Sequence, residues 1–344
     1  MKKSILSILA IAILFASCGD SEETVEFPGD GPGVDPENGL EGTATEDIIL
    51  DGTYDLTGAL IIPEGKSLTI KAGTKIKAVA GGTDVYIGIN KGAKIYVEGT
   101  AANPVVIASD LAENSDWGGL VICGKANTSA GTDVIFEVGG FKYGGDDPTD
   151  NSGSLEYLVI KGSGAQINAD SQYNGISFCA VGSGTTVENI AIINGGDDGV
   201  EFYGGSVEAT NLYLENNLDD AIDWTEAWDG KVTNAYIYHD VQGFSTAFEG
   251  DKDNAWPTFE NITCISTKGG TALQFKKNSG GYINNLYLQD YDNDIDFKDN
   301  GAFSNVVIDG NDSATVGGTA KGKLTNAMGT ILDISTWTWK DASL

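Results

Sequence analysis

GGDDGVEF occupies residues 195–202, and LDDAIDW occupies residues 218–224. The second repeats the first 22 positions later: two aspartates, a small residue, an aliphatic, an acid and an aromatic. Alternation along an extended strand sends Val200 and Phe202 to one face and Glu201 to the other. If positions one period apart stack, Val200/Ile222 and Phe202/Trp224 become apolar ladders. ALQF (272–275) and DIDF (294–297) extend both ladders through Leu273/Phe275 and Ile295/Phe297. Glu201, Asp223, Gln274 and Asp296 then form a column expected to face solvent. Asp197/Asp219 and Asp198/Asp220 make two more columns at the preceding corner. HDVQGFSTAFEG (239–250) departs from the pattern with a longer turn.

The period extends well beyond these two stretches. Short β-branched or aromatic strands begin on Asn189, Asn211, Asn234, Asn261, Asn285 and Asn305, at intervals of 22, 23, 27, 24 and 20 residues. Each is followed by Gly, Asn or Asp, which punctuate strands. No amphipathic helical pattern interrupts them. A period in the low twenties with glycine-rich corners describes one coil of a right-handed parallel β-helix. Each coil covers its apolar face only by stacking on the next, about 4.8 Å away. Some dozen coils make a rod roughly 50–60 Å long at that spacing.

The N-terminal half has the same character in EGKSLTIKAGTKIKA (64–78), NKGAKIYVEGTAANPVVIAS (90–109), SDWGGLVICGKA (115–126) and GSLEYLVIKGSG (153–164). With DDGVEFYGG (197–205), these runs resemble a family of Bacteroidota β-helix lipoproteins with a pectin-lyase-like fold. The resemblance spans about 45–310. It implies a fold and a location at the cell surface, and it carries over no catalytic residues.

The N-terminus points to the same location. MKKSILSILAIAILFASC has a basic start, an apolar run from Ile5 to Phe15 and small residues before Cys18. That is a secretory signal, too short to span a membrane in the mature protein. Cys18 after Ala-Ser resembles a lipobox cysteine, which implies acylation by palmitate-type chains. The acids that follow (GDSEETVE, 19–26) resemble an export signal for the outer face of the outer membrane, or they simply solvate a tether. Residues 19–45 are rich in Gly, Pro and acids and are expected to stay disordered, with a reach of roughly 25–30 Å. The expected organisation is thus a leader at 1–17, a lipidated Cys18 with its tether to 45, and a β-helix at 46–344 with a C-terminal cap.

Charge removes several functions. The net charge is −30, from 50 acids against 20 lysines and no arginine, with a single histidine. Nothing could neutralise phosphates along a groove, so nucleic acid is excluded. Cys123, Cys179 and Cys264 lie in apolar runs and read as buried core thiols.

Acids stacked one coil apart repel unless their protonation shifts, a cation binds or solvent screens them. Asp198, Asp220, Glu201 and Asp223 offer many oxygens with no lysine between Lys161 and Lys231. Such a set suits Ca²⁺, a hard ion with six to eight oxygen ligands. Against it, Asp, Asn and Gly are also the residues that corners demand for their own backbone. Catalysis has a narrower case. Proton abstraction by an arginine base is closed to a chain without arginine, and no lysine base sits among the acid doublets. Carboxylate-based glycoside hydrolysis by Asp198, Asp220, Glu201 and Asp223 stays open, but its usual His and Arg-Ile-Lys companions are missing and His239 lies one coil away.

Sugar binding is the milder alternative. Tyr203, Trp228 and Trp256 lie in or near turns, as does Tyr291, where exposed rings could stack on pyranose faces. Trp256, in the loop GDKDNAWPTF (250–259), equally fits a lid over the core. Trp337 and Trp339 are expected to cap the last coil against edge pairing. The sequence therefore reads as a non-catalytic surface lipoprotein that binds glycan or a surface protein, or accompanies an outer-membrane transporter. A glycan-cleaving enzyme is the competing class.

Overall fold

The computed structural model describes residues 33–344 except 112, 169, 170, 253, 254, 300, 302, 313–320, 325, 326 and 328. The expected leader, Cys18 and the tether up to residue 32 lie outside the described residues. The described chain is a parallel β-helix in which strands one coil apart pair side by side. Ordered structure begins ahead of residue 46, within the stretch expected to be tether. Strand Leu40–Thr43 pairs with Thr53–Ile62, and Leu40 is fully buried over the first coil.

One sheet stacks Ile176–Cys179, Val200–Tyr203, Asp220–Thr225, Thr246–Gly250, Thr271–Lys276 and Asn293–Lys298 in parallel. Phe202 pairs with Trp224 and Val200 with Ile222, and all four side chains are buried. Fully burying such a side chain stabilises the fold by about 1.5–3 kcal/mol, so the ladders are its main support. Phe202 stacks on Phe178 at 5.3 Å and on Trp228 at 4.1 Å between ring centroids.

The coil containing 239–250 keeps the register that its sequence appeared to lose. Phe248 pairs with Ile222 and Leu273, Glu249 with Asp223 and Gln274, and Gly250 with Trp224 and Phe275. Bulk is exchanged between the two ladders: a ring replaces the aliphatic, and glycine replaces the ring. Trp224 leans into the space, since a Cβ on Gly250 would lie 2.6 Å from its Cζ2. The extra residues of this coil are taken up in its turns.

A second sheet holds the strands that seemed to start on asparagine. The one expected at Asn305 starts after it, as Val306–Ile308, while the other five start earlier, as Thr186–Ile193, Ala209–Glu215, Lys231–His239, Thr258–Ser266 and Gly281–Gln289. The asparagines sit inside them at φ between 53° and 62° and bend each strand around the core. Asparagine tolerates this left-handed backbone because its short amide can hydrogen-bond locally. Here the amides bond one another along the stack. Asn211, Asn234, Asn261 and Asn285 each donate Nδ2 to Oδ1 of the asparagine one coil before, at 2.8–2.9 Å.

Trp337 and Trp339 do not cap the last coil. Antiparallel strands Asn311–Asp312 and Lys321–Gly322 pair with the final parallel strands instead. The C-terminal segment then runs back along the outside of the asparagine sheet. Gly329 N–H donates to Leu286 O, Leu332 N–H to Thr263 Oγ1, and Trp339 meets Tyr157 edge-on at 5.9 Å. The outer face of that sheet carries Val106, Ala108, Val159, Ala191 and Tyr213, and the two indoles cover them. An apolar outer face needs such a cover, which explains the path.

The hairpin Val134–Ile135/Lys142–Tyr143 packs Phe136, Phe141 and Tyr143 on the outside of the first sheet, over Cys123, Cys179 and Tyr203. All three described cysteines are free and buried.

Candidate acidic recess

The residues between the apolar ladders form the column Ser177, Glu201, Asp223, Glu249, Gln274 and Asp296 by direct register. They point away from the core, as alternation requires, but they do not stand in open solvent. Glu249, Gln274 and Asp296 are buried, and Glu201 and Asp223 are half-buried. The hairpin supplies Glu137 on one side, and the corner before each strand supplies Asp197, Asp198 and Asp219 on the other. Between them lies a recess of about 390 Å³ lined by eight carboxylates with Gln172, Tyr203, Thr225 and Lys252. Among the described residues that line it, Lys252 is the single base.

Hydrogen bonds fix several of these groups. Tyr203 donates its hydroxyl to Glu201 Oε2, and Asn174 Nδ2 donates to the same oxygen at 2.7 Å. Asp198 Oδ1 accepts the Asp220 N–H at 2.8 Å, so this corner acid also ties its coil to the next. Asp198 thus serves its corner and also lines the recess. Asp220 is buried behind the recess and accepts from Thr246 Oγ1 at 2.5 Å. Glu226 accepts from Thr128 Oγ1 and Tyr143 O–H, joining the hairpin to the wall.

Like charges crowd here. Burial, then Asp219, pushes Asp197 up to about 7. Burial, reinforced by Asp197 and Glu137, pushes Glu201 up to about 8 against the hydrogen bonds from Tyr203 and Asn174. Asp198, Asp220 and Asp223 are also held well above the usual carboxylate range, first by burial and then by neighbouring acids: Asp223 and Glu201 act on Asp198, Glu249 and Asp219 on Asp220, and Glu201 and Glu249 on Asp223. Three overlapping sets bring single oxygens within 4.8 Å of one another: Asp197/Asp198/Asp219, Asp198/Glu201/Asp223 and Asp220/Asp223/Glu249. Two polar atoms of the recess are shut off from solvent and have no hydrogen-bond partner, Asp223 Oδ1 and Thr225 Oγ1. Thr225 is 7% exposed. A buried polar atom left unpaired costs about 1–3 kcal/mol, a cost that a water or a ligand would relieve.

This architecture fits one family. The chain belongs to the pectate-lyase like beta helix domain family, whose model matches residues 42–330. The family includes polysaccharide-cleaving enzymes and non-catalytic binders. No curated protein and no solved structure matches the chain.

The structure unites the four acids singled out from the sequence, Asp198, Asp220, Glu201 and Asp223, although Asp220 faces the neighbouring coil. The aromatic candidates separate. Tyr203 lines the recess. Trp228 is a core residue with no exposed surface, its Nε1–H donated to Val207 O at 3.1 Å. It cannot stack on a sugar, because the ladder needs it against Phe202. Tyr291 is likewise buried and bonded to His239. Trp256 packs on Tyr282 at 5.4 Å, outside the set of residues that line the recess.

Sequence reasoning missed Glu249, Thr225 and the wall residues Glu137 and Glu226. Aligning Phe248 with the aliphatic ladder would have exposed Glu249. Thr225 follows Asp223 by two residues on the same face. Glu137 arrives on a non-repeating hairpin and leaves no periodic signal.

Proposed function

We propose that this β-helix is a non-catalytic, lipid-anchored surface protein whose acidic recess binds Ca²⁺ and, through it, a glycan. The single observation that supports the ion is the pair of unpartnered oxygens, Asp223 Oδ1 and Thr225 Oγ1, on residues that line the same recess as Asp198 and Glu201. Every donor is a hard oxygen. Four side chains fill about half of the six to eight positions that Ca²⁺ takes. Sugar hydroxyls, a uronate or water would complete the shell, and Tyr203 offers a polar wall beside it. Charge favours the same ion, since Ca²⁺ relieves the repulsion that lifts the carboxyl groups.

Anchoring through Cys18, on the outer face of the outer membrane, rests on the leader and lipobox pattern alone. Among the described residues no helix is long and apolar enough to cross a membrane. Palmitate labelling that survives Cys18→Ser would reassign the anchor.

The ion is tested by titrating Ca²⁺ into EDTA-treated protein and following the melting transition. Free Ca²⁺ at 100 times Kd should stabilise by about 2.7 kcal/mol. Thr225→Val should weaken binding by about tenfold or more, and Asp223→Asn should abolish it. An unchanged melting curve in EDTA and calcium removes the ion. A glycan array probed with and without Ca²⁺ tests the ligand; no calcium-dependent glycan removes that half.

One observation favours the enzyme reading: Glu201, lifted to about 8, would carry a proton at neutral pH, as a general acid must. The same crowding raises Asp198, Asp220 and Asp223 as well, so the four acids of that reading are not driven apart into an acid and a base. Reducing ends released from a glycan by the wild type and not by Asp223→Asn would reverse the choice.

A further inference from the structure

The acid column continues past the recess, and its two ends are neutralised differently. In the lower set, Asp220/Asp223/Glu249, both oxygens of Glu249 and one of Asp220 already have donors. Glu249 Oε1 is ion-paired with Lys276 Nζ, and Glu249 Oε2 accepts from Gln274 Nε2. Asp220 Oδ1 accepts from Thr246. Further along, Lys321 Nζ lies 3.0 Å from Asp296 Oδ2. In the upper set, Asp198/Glu201/Asp223, no lysine ion pair occurs among the described residues, and all three acids line the same recess as the unpartnered Thr225 Oγ1. Asp223 belongs to both sets and joins them.

We infer that Lys276 is a built-in counter-ion filling the lower of two stacked cation positions, so the recess takes one Ca²⁺ from solution rather than two. This deepens the calcium reading above and rests on it. The two positions lie about one coil, roughly 4.8 Å, apart, with Asp223 between them. Lys276 reaches the lower position from its own strand two coils below Asp223: Asp223 pairs with Glu249, and Glu249 with Gln274, two residues before Lys276. Burial by itself would lower the Lys276 ammonium. Glu249, with Asp220 and Asp223 behind it, holds it above its ordinary value. The ammonium is paired directly with Glu249 and feels Asp220 and Asp223 through space. A compact point charge on a flexible stem suits that role.

Removing the charge without shortening the side chain much should vacate the position for a second ion. The experiment measures calcium stoichiometry by equilibrium dialysis and calorimetry on the mature chain, wild type and Lys276→Gln. One ion per wild-type chain and two per Lys276→Gln chain are expected, with Asp198→Asn in the variant returning it to one. A wild type that binds two ions, or a variant that still binds one, overturns this inference and leaves the calcium reading standing. A wild type that binds none overturns both. Should Lys276→Gln fail to fold without calcium, circular dichroism must show folding restored by Ca²⁺, since the ion replaces the ammonium. A chain that stays unfolded in calcium also overturns the inference.

Discussion

Replacing Gly250 by alanine probes the exchange of bulk between the two ladders. Gly250 stands where neighbouring coils carry Trp224 and Phe275, and its Cβ would meet Trp224 Cζ2 at 2.6 Å, Cε2 at 2.9 Å and Ser279 Oγ at 3.1 Å. Carbon atoms settle at about 3.5–4.0 Å, so the indole must retreat by about 1 Å. It has little room, with Phe248, Phe259 and Phe275 at 6.3, 4.8 and 5.9 Å between centroids. Overpacking of this kind costs about 1–3 kcal/mol. Gly250 does not have positive φ, so alanine also recovers about 0.4–1 kcal/mol by restricting the unfolded chain. The net expectation is a loss of about 1–2 kcal/mol. Trp224→Phe in the same chain should make the alanine nearly harmless, giving a coupling of about 1 kcal/mol or more. Urea unfolding at saturating calcium, followed by circular dichroism, supplies all four corners of the cycle. Gly250→Ala at wild-type stability, or a double variant additive within about 0.5 kcal/mol, would refute the packing argument.

Two further outcomes are expected. His239 is buried on Phe244 with Tyr291 O–H at Nδ1, and burial lowers it to about 3. The unfolded chain takes up its proton below about 6.5 while the native chain does not, so His239 costs stability increasingly from pH 6.5 toward 3, at about 1.4 kcal/mol per pH unit at most. The raised recess carboxyls act in the opposite sense, so the effect is read as a difference. His239→Gln should flatten the acid limb relative to wild type, and parallel limbs would remove the argument. Trp339→Ala should uncover Val159, Ala191 and Tyr213 at a cost of about 3 kcal/mol, in the range for a buried ring. Amide exchange should then speed up at Leu332, whose N–H is held by Thr263; unchanged protection there would show that the indole does not hold the strap.

How much of this was legible depends on what repeats. Val200, Phe202, Ile222 and Trp224 announced the ladders because stacking imposes one period on every coil, and a period is visible without knowing any contact. The acids Glu201 and Asp223 came with it, since alternation gives each strand a second face at the same phase. Whether that face is open or walled has no periodic signature. The wall comes from a hairpin that occurs once, around Glu137, and from corner turns of unequal length. Trp228 and Trp256 look alike in sequence, yet one is locked in the core and the other is only half-buried.

The sequence by itself determined the coil, its ladders and the charge that any ligand must satisfy. Only the tertiary structure decided that Thr225 and Glu249 join the acids, that Lys276 pairs with Glu249, and that the C-terminal indoles lie along the side of the rod. The reason is physical: local alternation and period fix which way a side chain points. What it meets there depends on segments far away in the chain, whose path is set by the apolar surface still needing cover.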